Sequence, residues 1–148
     1  LFHGEDPQDL FIDGLKFAND HDQRNEAQFQ VSYNHKSGVY TTFSGRYDSG
    51  VPVDVEPGTT LNDFVAADFD PRLHSEIDFQ RGRVRPRTLL DFSVGADLRR
   101  QERVSINLQF DIQNLTNELF LYNFESVFSG THVGYPRLFS GRLSFRFK

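Results

Sequence analysis

LFSGRLSFRFK, residues 138–148, decides the fold class because its side chains alternate between two kinds of surroundings. In an extended chain, successive side chains point to opposite faces, so every second residue shares a face. One face carries Phe139, Gly141, Leu143, Phe145 and Phe147, and the other carries Leu138, Ser140, Arg142, Ser144, Arg146 and Lys148. The pattern predicts a β-strand between apolar and aqueous surroundings, long enough to cross a membrane at a tilt.

The same alternation recurs in four stretches upstream. They cover residues 26–34, 39–48, 90–99 and 104–113, and the apolar face of the last carries Val104, Ile106, Leu108, Phe110 and Ile112. Each stretch is close to the ~9–11 residues that a tilted membrane strand needs, and none has helical spacing. We therefore predict an all-β fold of antiparallel strands.

The connections between the predicted strands are of two kinds. Residues 35–38 and 99–102 make tight turns, whereas residues 51–86 and 115–136 form long links, so short and long links alternate. Soluble domains seldom contain structureless loops of such length. Outer-membrane barrels have short periplasmic turns and long extracellular loops. The pattern indicates a transmembrane β-barrel whose last strand ends on the periplasmic side.

Composition limits the class of protein further. The 148 residues carry a formal net charge of −5, which argues against nucleic acid as the main partner. Cysteine is absent, so the chain has neither a disulfide framework nor a thiolate metal site. The mean hydropathy is −0.53, and no run approaches the ~20 apolar residues of a helical membrane span. Barrel strands are not excluded by this test, because only half of their residues are apolar.

The predicted strands are too few to close a barrel. Five strands, or six if residues 10–17 contribute one, are fewer than the ~8 of the smallest single-chain membrane barrels. An open edge in lipid would leave unpaired backbone groups that cost several kcal/mol each. The chain also starts at Leu1 without a signal-peptide pattern. We expect residues 1–148 to be the C-terminal part of one larger barrel domain.

Short motifs near the end of the chain carry a resemblance to a known family. They are Asn114, Leu115, Thr116 and Asn117, then Gly134, Tyr135, Pro136 and Arg137, and then the strand end from Ser144 to Phe147. In this order and spacing they resemble the C-terminal end of a TonB-dependent outer-membrane receptor. Residues 20–24 (DHDQR) and 46–52 (RYDSGVP) are similar to the receptors that carry a carboxypeptidase-regulatory-like N-terminal domain. Lys148 departs from the pattern because it follows the terminal aromatic residue.

The resemblance implies a barrel of about 22 strands with an N-terminal plug, placed in the cell outer membrane and importing a scarce ligand with energy from TonB. The plug and the TonB-contacting box belong to the N-terminal half of such receptors, so no residue here takes those roles. The resemblance also implies a C-terminal signal for the barrel-assembly machinery, at Phe139, Leu143, Phe145 and Phe147. A physical reason is that the last strand is an exposed edge until the barrel closes. The alternative is that these four residues form the core of a soluble sheet.

A basic run precedes the predicted third strand. It consists of Arg81, Arg83, Arg85 and Arg87. Guanidinium groups match phosphate in geometry and charge, so we predict contact with lipopolysaccharide phosphates or another anion. The alternative is a solvated loop tip.

Other clusters point less clearly to a site. Two acidic groups contain metal-ligand residue types, namely Asp20, His21 and Asp22, and Asp63, Asp68 and Asp70. Neither has the spacing of a known loop site, so we predict no metal and no cofactor. The last long link contains Phe120, Tyr122, Phe124 and Phe128. Such aromatics either stack on a ligand or anchor at the lipid interface, and we expect anchoring and packing among the loops. The motifs of hydrolases and phosphate-binding enzymes are absent from the sequence, so we do not expect an enzyme.

Three functions remain open at this point. The first is part of a receptor barrel, with outer-membrane lipid and lipopolysaccharide around it. The second is a structural or adhesive outer-membrane barrel whose long loops bind surfaces. The third is a soluble β-sandwich, in which the apolar faces form a core about 10 Å thick. The residues do not rank siderophore, cobalamin, glycan or peptide as the ligand.

Overall fold

A computed structural model describes residues 22–53, 55, 58–100, 104–126 and 130–147, and it is predominantly β with antiparallel sheets. The strands are β1 (Glu26–Asn34), β2 (Val39–Asp48), β3 (Ile77–Asp78), β4 (Arg83–Val84), β5 (Arg87–Arg100), β6 (Val104–Gln113), β7 (Leu121–Ser126), β8 (Gly130–Val133) and β9 (Leu138–Phe147). The helices are α1 (Leu61–Ala66) and α2 (Pro71–His74). All five predicted strands are confirmed, and four of them agree closely with their predicted bounds. The third begins at Arg87 instead of residue 90.

The long strands form one open antiparallel sheet. Its strand order is β1-β2-β5-β6-β9, so each long strand pairs with the next long strand along the chain. β1 and β9 lie at the two edges, and within the described residues the sheet does not close into a barrel. The predicted turn at residues 35–38 is confirmed, with Gly38 at φ +87° and the His35 N–H donating to the Val39 carbonyl over 2.8 Å. The predicted turn at 99–102 lies partly outside the described residues.

The long links contain secondary structure, which corrects the prediction that they are structureless. Residues 51–86 contain α1, α2, β3 and β4, and β7 and β8 lie in the link before β9. α1 begins at a capping box between Thr60 and Asp63, and α2 begins at Asp70, which is followed by a proline. These elements are too short to produce a periodic sequence pattern, which is why the sequence did not predict them.

The described residues divide into two compact units. The sheet unit contains residues 25–49, 86–100, 104–120 and 133–147, and the loop unit contains the described parts of residues 22–24, 50–85 and 121–132. The loop unit has a core of its own, made of Phe64, Leu73, Ile77, Val84, Leu121 and Phe124. Phe64 and Phe124 stack with ring centres 5.2 Å apart, so Phe124 of the last long link packs among the loops as predicted. Tyr122 of the same link is 42% exposed. That both units belong to one barrel domain stays a prediction.

The helices of this fold are short. In the described part of the chain, no helix combines the length and apolar character needed to cross a membrane.

Candidate functional site

The sheet unit presents one continuous apolar face. The register places Val31, Phe43, Phe92, Ile112 and Phe139 opposite one another, in a row that crosses all five strands. Val31 is 63% exposed and Phe139 is 61% exposed. Other large apolar side chains of this face are also exposed, namely Phe29, Tyr33, Leu108, Phe110, Leu143, Phe145 and Phe147. Water-soluble monomers rarely leave so many large apolar side chains exposed together, so this face needs an apolar environment.

The neighbouring row on the opposite face is entirely polar. It consists of Ser32, Thr42, Ser93, Asp111 and Ser140. The hydroxyl oxygens of Ser32 and Thr42 lie 3.0 Å apart, and the Ser93 hydroxyl donates to Asp111 over 2.5 Å. One row across the sheet is therefore fully apolar and the next is fully polar. This is because the strands pair in a register that places apolar residues opposite apolar residues and polar residues opposite polar ones.

Side chains on the polar face bond across β2, β5 and β6. Tyr40 donates from its hydroxyl towards Asn107 Oδ1 at 3.2 Å and Gln109 Oε1 at 3.1 Å. Asn107 donates to Asp97 over 3.0 Å, and Gln109 donates to Asp111 over 2.6 Å. Among the described residues, every buried side-chain nitrogen or oxygen has a hydrogen-bond partner. The polar face is thus a connected surface of amides, hydroxyls and carboxylates.

Two glycines let aromatic rings lie flat across this sheet. A Cβ at Gly45 would lie 2.3 Å from Cε1 of Phe29, and a Cβ at Gly95 would lie 2.2 Å from Cζ of Tyr40. Such distances are far below a normal contact, so a larger residue at either position would displace the ring. Gly45 therefore supports the apolar face and Gly95 the polar face.

A buried ion pair lies at the end of the sheet where the long links leave it. Asp48 is completely buried, Arg87 is 5% exposed, and the two are cross-strand neighbours in β2 and β5. Arg87 donates from Nε to Asp48 Oδ2 over 2.8 Å, and its Nη2 lies 2.7 Å from the same oxygen. Arg46 donates to the other carboxylate oxygen over 2.9 Å. The Arg87 guanidinium carbon lies 5.4 Å from the ring centre of Phe120, within the range of a cation–π contact.

The two motifs near the end of the chain are bonded to each other. Asn114, at φ +52° and 6% exposed, donates from Nδ2 to the Glu118 carbonyl over 2.9 Å and to the Tyr135 carbonyl over 3.0 Å. Asn117, at φ +56°, accepts the backbone N–H of Arg137 over 3.0 Å. Asparagine tolerates the left-handed backbone and supplies both donors and acceptors, which accounts for its use at both positions. The turn after β6 is thereby joined to the segment that enters β9.

The four arginines of the predicted anion site have different surroundings. Arg83 has only 12% of its side chain exposed, lies 3.4 Å from an Asp22 carboxylate oxygen and donates to the Asp22 and Gly50 carbonyls. Arg87 is held by Asp48, as described above. Arg81 is mostly exposed and 3.7 Å from Asp78, and Arg85 is exposed. Carboxylates of the chain itself thus engage Arg83 and Arg87, and contact of Arg81 and Arg85 with an external phosphate stays a prediction.

The four residues of the predicted assembly signal all lie on the apolar face of β9. Their exposed fractions are 61% for Phe139, 55% for Leu143, 56% for Phe145 and 75% for Phe147. β9, which carries them, pairs with β6 on one side and with no other strand among the described residues. Their role in assembly stays a prediction, and their accessibility on an edge strand is compatible with it.

Two of the acidic residues that could have bound a metal, Asp63 and Asp70, take part in helix N-caps. Asp63 accepts from the backbone N–H of Thr60 over 2.7 Å, and hydrogen bonds from Thr60 keep the pKa of Asp63 below its ordinary value. In the residues that the structure describes, no three His, Asp or Glu side chains come together as a metal site would require. Asp20, His21 and Phe128 lie outside the described residues.

Acidification is expected to release the cap that begins α2. Asp70 accepts from the Arg72 side chain and from the Arg72 backbone N–H, and these bonds lower its pKa from 3.8 to about 2. Because the folded-state pKa is the lower one, the stabilisation is present above pH 3.8 and is lost as the pH falls through about 2. The amide resonance of Arg72 should titrate near pH 2 in NMR spectra and stop doing so in Asp70→Asn. Titration near pH 4 in the unaltered chain would contradict the bond.

Comparison with known proteins identifies no relative. No protein-family model, no curated protein and no solved structure matches the chain. The resemblance seen in the motifs is therefore an argument from the residues alone.

Proposed function

We propose that this chain forms part of the wall of an outer-membrane β-barrel of the TonB-dependent receptor type. The observation that carries the proposal is the apolar row from Val31 to Phe139, which crosses five strands in register and is exposed at both edges. A lipid bilayer supplies an apolar environment for this face without any second protein layer. Water inside the barrel then meets the polar face.

The length of the strands supports this proposal. β2, β6 and β9 have 10 residues each. At about 3.3 Å per residue and a tilt of about 45°, ten residues cross roughly 23 Å, close to the ~25 Å apolar band of outer-membrane barrels. Tyr33 and Tyr47 lie near opposite ends of the β1–β2 pair on the apolar face, where membrane proteins place aromatic side chains at the interfaces.

A soluble sandwich would need a second sheet of similar size. The other two sheets in the described residues have two strands each, and their strands have between two and six residues. Sheets of that size are too small to cover strands of ten residues in a sandwich core. The sandwich is therefore the weaker interpretation.

The receptor assignment rests further on the paired motifs and on the polar face. In a receptor barrel the ligand enters from the side of the long links and passes along the polar interior, where amides and hydroxyls such as Gln109 and Tyr40 offer hydrogen bonds.

An adhesive barrel is the second candidate, favoured by the loop unit, which has its own core and could bind a surface by itself. Collapsing the proton-motive force separates the two candidates. Ligand uptake through a receptor should stop, whereas adhesion should continue because it does not depend on that energy.

Tryptophan fluorescence can test which face meets lipid, since the chain contains no tryptophan of its own. We expect brominated lipids to quench the fluorescence of Val31→Trp strongly and that of Gln30→Trp weakly. The two positions are neighbours on β1, both are exposed, and they point to opposite faces. Unquenched fluorescence in both variants, with the chain soluble without detergent, would contradict the proposal.

A further inference from the structure

The outer edge of β9 has no paired strand in the described part of the chain. β9 bonds to β6 on one side, and all ten of its residues are exposed. An edge of this length in a membrane must be paired, because its free N–H and C=O groups have no water to bond.

The direction of the strands limits what can pair there. Each of the five strands runs antiparallel to its neighbour, so β1, β5 and β9 all run the same way. β1 can therefore not close on β9 in an antiparallel ladder. The partner of β9 must run in the direction of β6.

The polar face of β9 is basic. It carries Arg142 and Arg146, four residues or about 13 Å apart, with Ser144 between them. Arg142 lies opposite Gln109 and Arg146 lies opposite Ser105, so neither arginine faces a carboxylate directly across the ladder. Asp111 is a diagonal neighbour of Arg142 and attracts it electrostatically, whereas Arg146 is four residues farther along the strand. The other edge differs, since the polar face of β1 has no basic residue and carries Glu26, Gln28, Gln30, Ser32 and Asn34.

We propose that the free edge of β9 binds an antiparallel strand of the same barrel that carries carboxylates opposite Arg142 and Arg146. This inference rests on the proposed function, because it assumes that the apolar side of the new strand faces lipid. Opposite charges directly across a ladder stabilise the pair, and like charges destabilise it. The two arginines thus select both the partner and its register at the junction.

A second copy of the chain fits this edge poorly. The copy can pair through either of its edge strands, β1 or β9, while its apolar face stays on the same side of the sheet. Pairing through its β1 would be parallel, so only its own β9 can pair with β9 in antiparallel orientation. Registers that place Arg142 opposite Arg142 or Arg146 of the copy bring like charges together. Charge therefore favours an acidic strand over a second copy.

Synthetic strands can test the proposal on the whole chain in detergent micelles. Three labelled ten-residue peptides share the same alternating apolar residues and carry either two Glu, two Gln or two Lys at polar positions four residues apart. We expect the Glu peptide to bind about ten-fold more tightly than the Gln peptide by fluorescence anisotropy, and the Lys peptide to bind most weakly. In the variant Arg142→Glu with Arg146→Glu, the order should reverse.

A matched control places the same charges on the other edge. Gln28→Glu with Ser32→Glu has the same four-residue spacing on β1 and should leave the preference for the Glu peptide unchanged. Circular dichroism on each variant checks that the sheet is intact. The register is tested with Ser144→Cys, whose thiol is the only one in the 148-residue sequence. With dissolved oxygen and a copper catalyst as the oxidant, it should form a disulfide with a peptide cysteine placed midway between the two Glu.

The outcomes separate this inference from the proposed function. The same peptide order in the chain and in its charge-reversed variant overturns the inference, as does a dominant disulfide between two chains carrying Ser144→Cys. Unquenched fluorescence in both tryptophan variants, Val31→Trp and Gln30→Trp, with the chain soluble without detergent, would instead overturn the membrane assignment. That result does not depend on how the peptides bind.

Discussion

Arg87→Met is expected to lower the free energy of unfolding of the sheet unit by about 3–5 kcal/mol, because it leaves a buried carboxylate without its main partner. Asp48 is completely buried and lies 2.7 Å from Arg87 Nη2, so water cannot replace the lost cation. Arg46 would remain beside Asp48, but it is shared with Glu26 at 3.5 Å. Denaturant titration followed by circular dichroism measures the change.

Two further variants separate the charge from the packing. Asp48→Leu with Arg87→Met removes both charges and should recover much of the loss, because no unpaired charge stays buried. Arg24→Met is the matched control: its guanidinium is 3.6 Å from Asp22 and 70% exposed, so we expect a change below about 1 kcal/mol. An Arg87→Met effect as small as that of Arg24→Met would show that the buried pair does not stabilise the sheet.

Asn114→Asp is expected to cost about 3 kcal/mol, although the two side chains have nearly the same shape. Asn114 uses its amide nitrogen as a donor to two carbonyls, those of Glu118 and Tyr135, and an aspartate has no donor there. The position is 6% exposed, so the carbonyls would face a buried carboxylate. Hydrogen exchange should also quicken at the entry to β9, since the turn after β6 would no longer be joined to it.

Asn117→Asp is the control within the same motif. Asn117 has a similar backbone, at φ +56° against +52° for Asn114, but its described bond to Arg137 uses the side-chain oxygen as an acceptor. Aspartate keeps that acceptor, so this variant should be close to neutral. Asn114→Gly keeps the left-handed backbone accessible and isolates the loss of the side-chain bonds. Equal effects of both aspartate substitutions would contradict the distinction between donor and acceptor.

The strands could be predicted from the sequence because alternation is a local property. Residues 26–34 and 104–113 show it without interruption and residues 39–48 show it in part, and the structure has strands with those bounds. At the start of β5 the pattern fails, because Thr88 is polar on the apolar face and Leu89 is apolar on the polar face. Pairing with β2 extends that strand to Arg87, and the bond to Asp48 holds it there.

The contents of the long links could not be predicted in the same way. α1 has 6 residues and α2 has 4, too few to show a helical period. Their core joins Phe64 to Phe124, which are far apart in the chain, so no local pattern reports the contact. Similarly, the motifs at Asn114 and Tyr135 could be recognised separately, while the bond between them became evident only in the folded chain.

Two-faced antiparallel strands joined by alternating short and long links could be read directly from the order of the amino acids. This was possible because the direction of each side chain from a strand depends only on the residue's position along that strand. Three features became evident in the folded chain: the apolar rows across five strands, the burial of Arg87 against Asp48, and the basic edge of β9, which has no paired strand among the described residues. Those features depend on the register between strands. The register is fixed by pairing between segments that are far apart in the chain, so it cannot be read from any single residue.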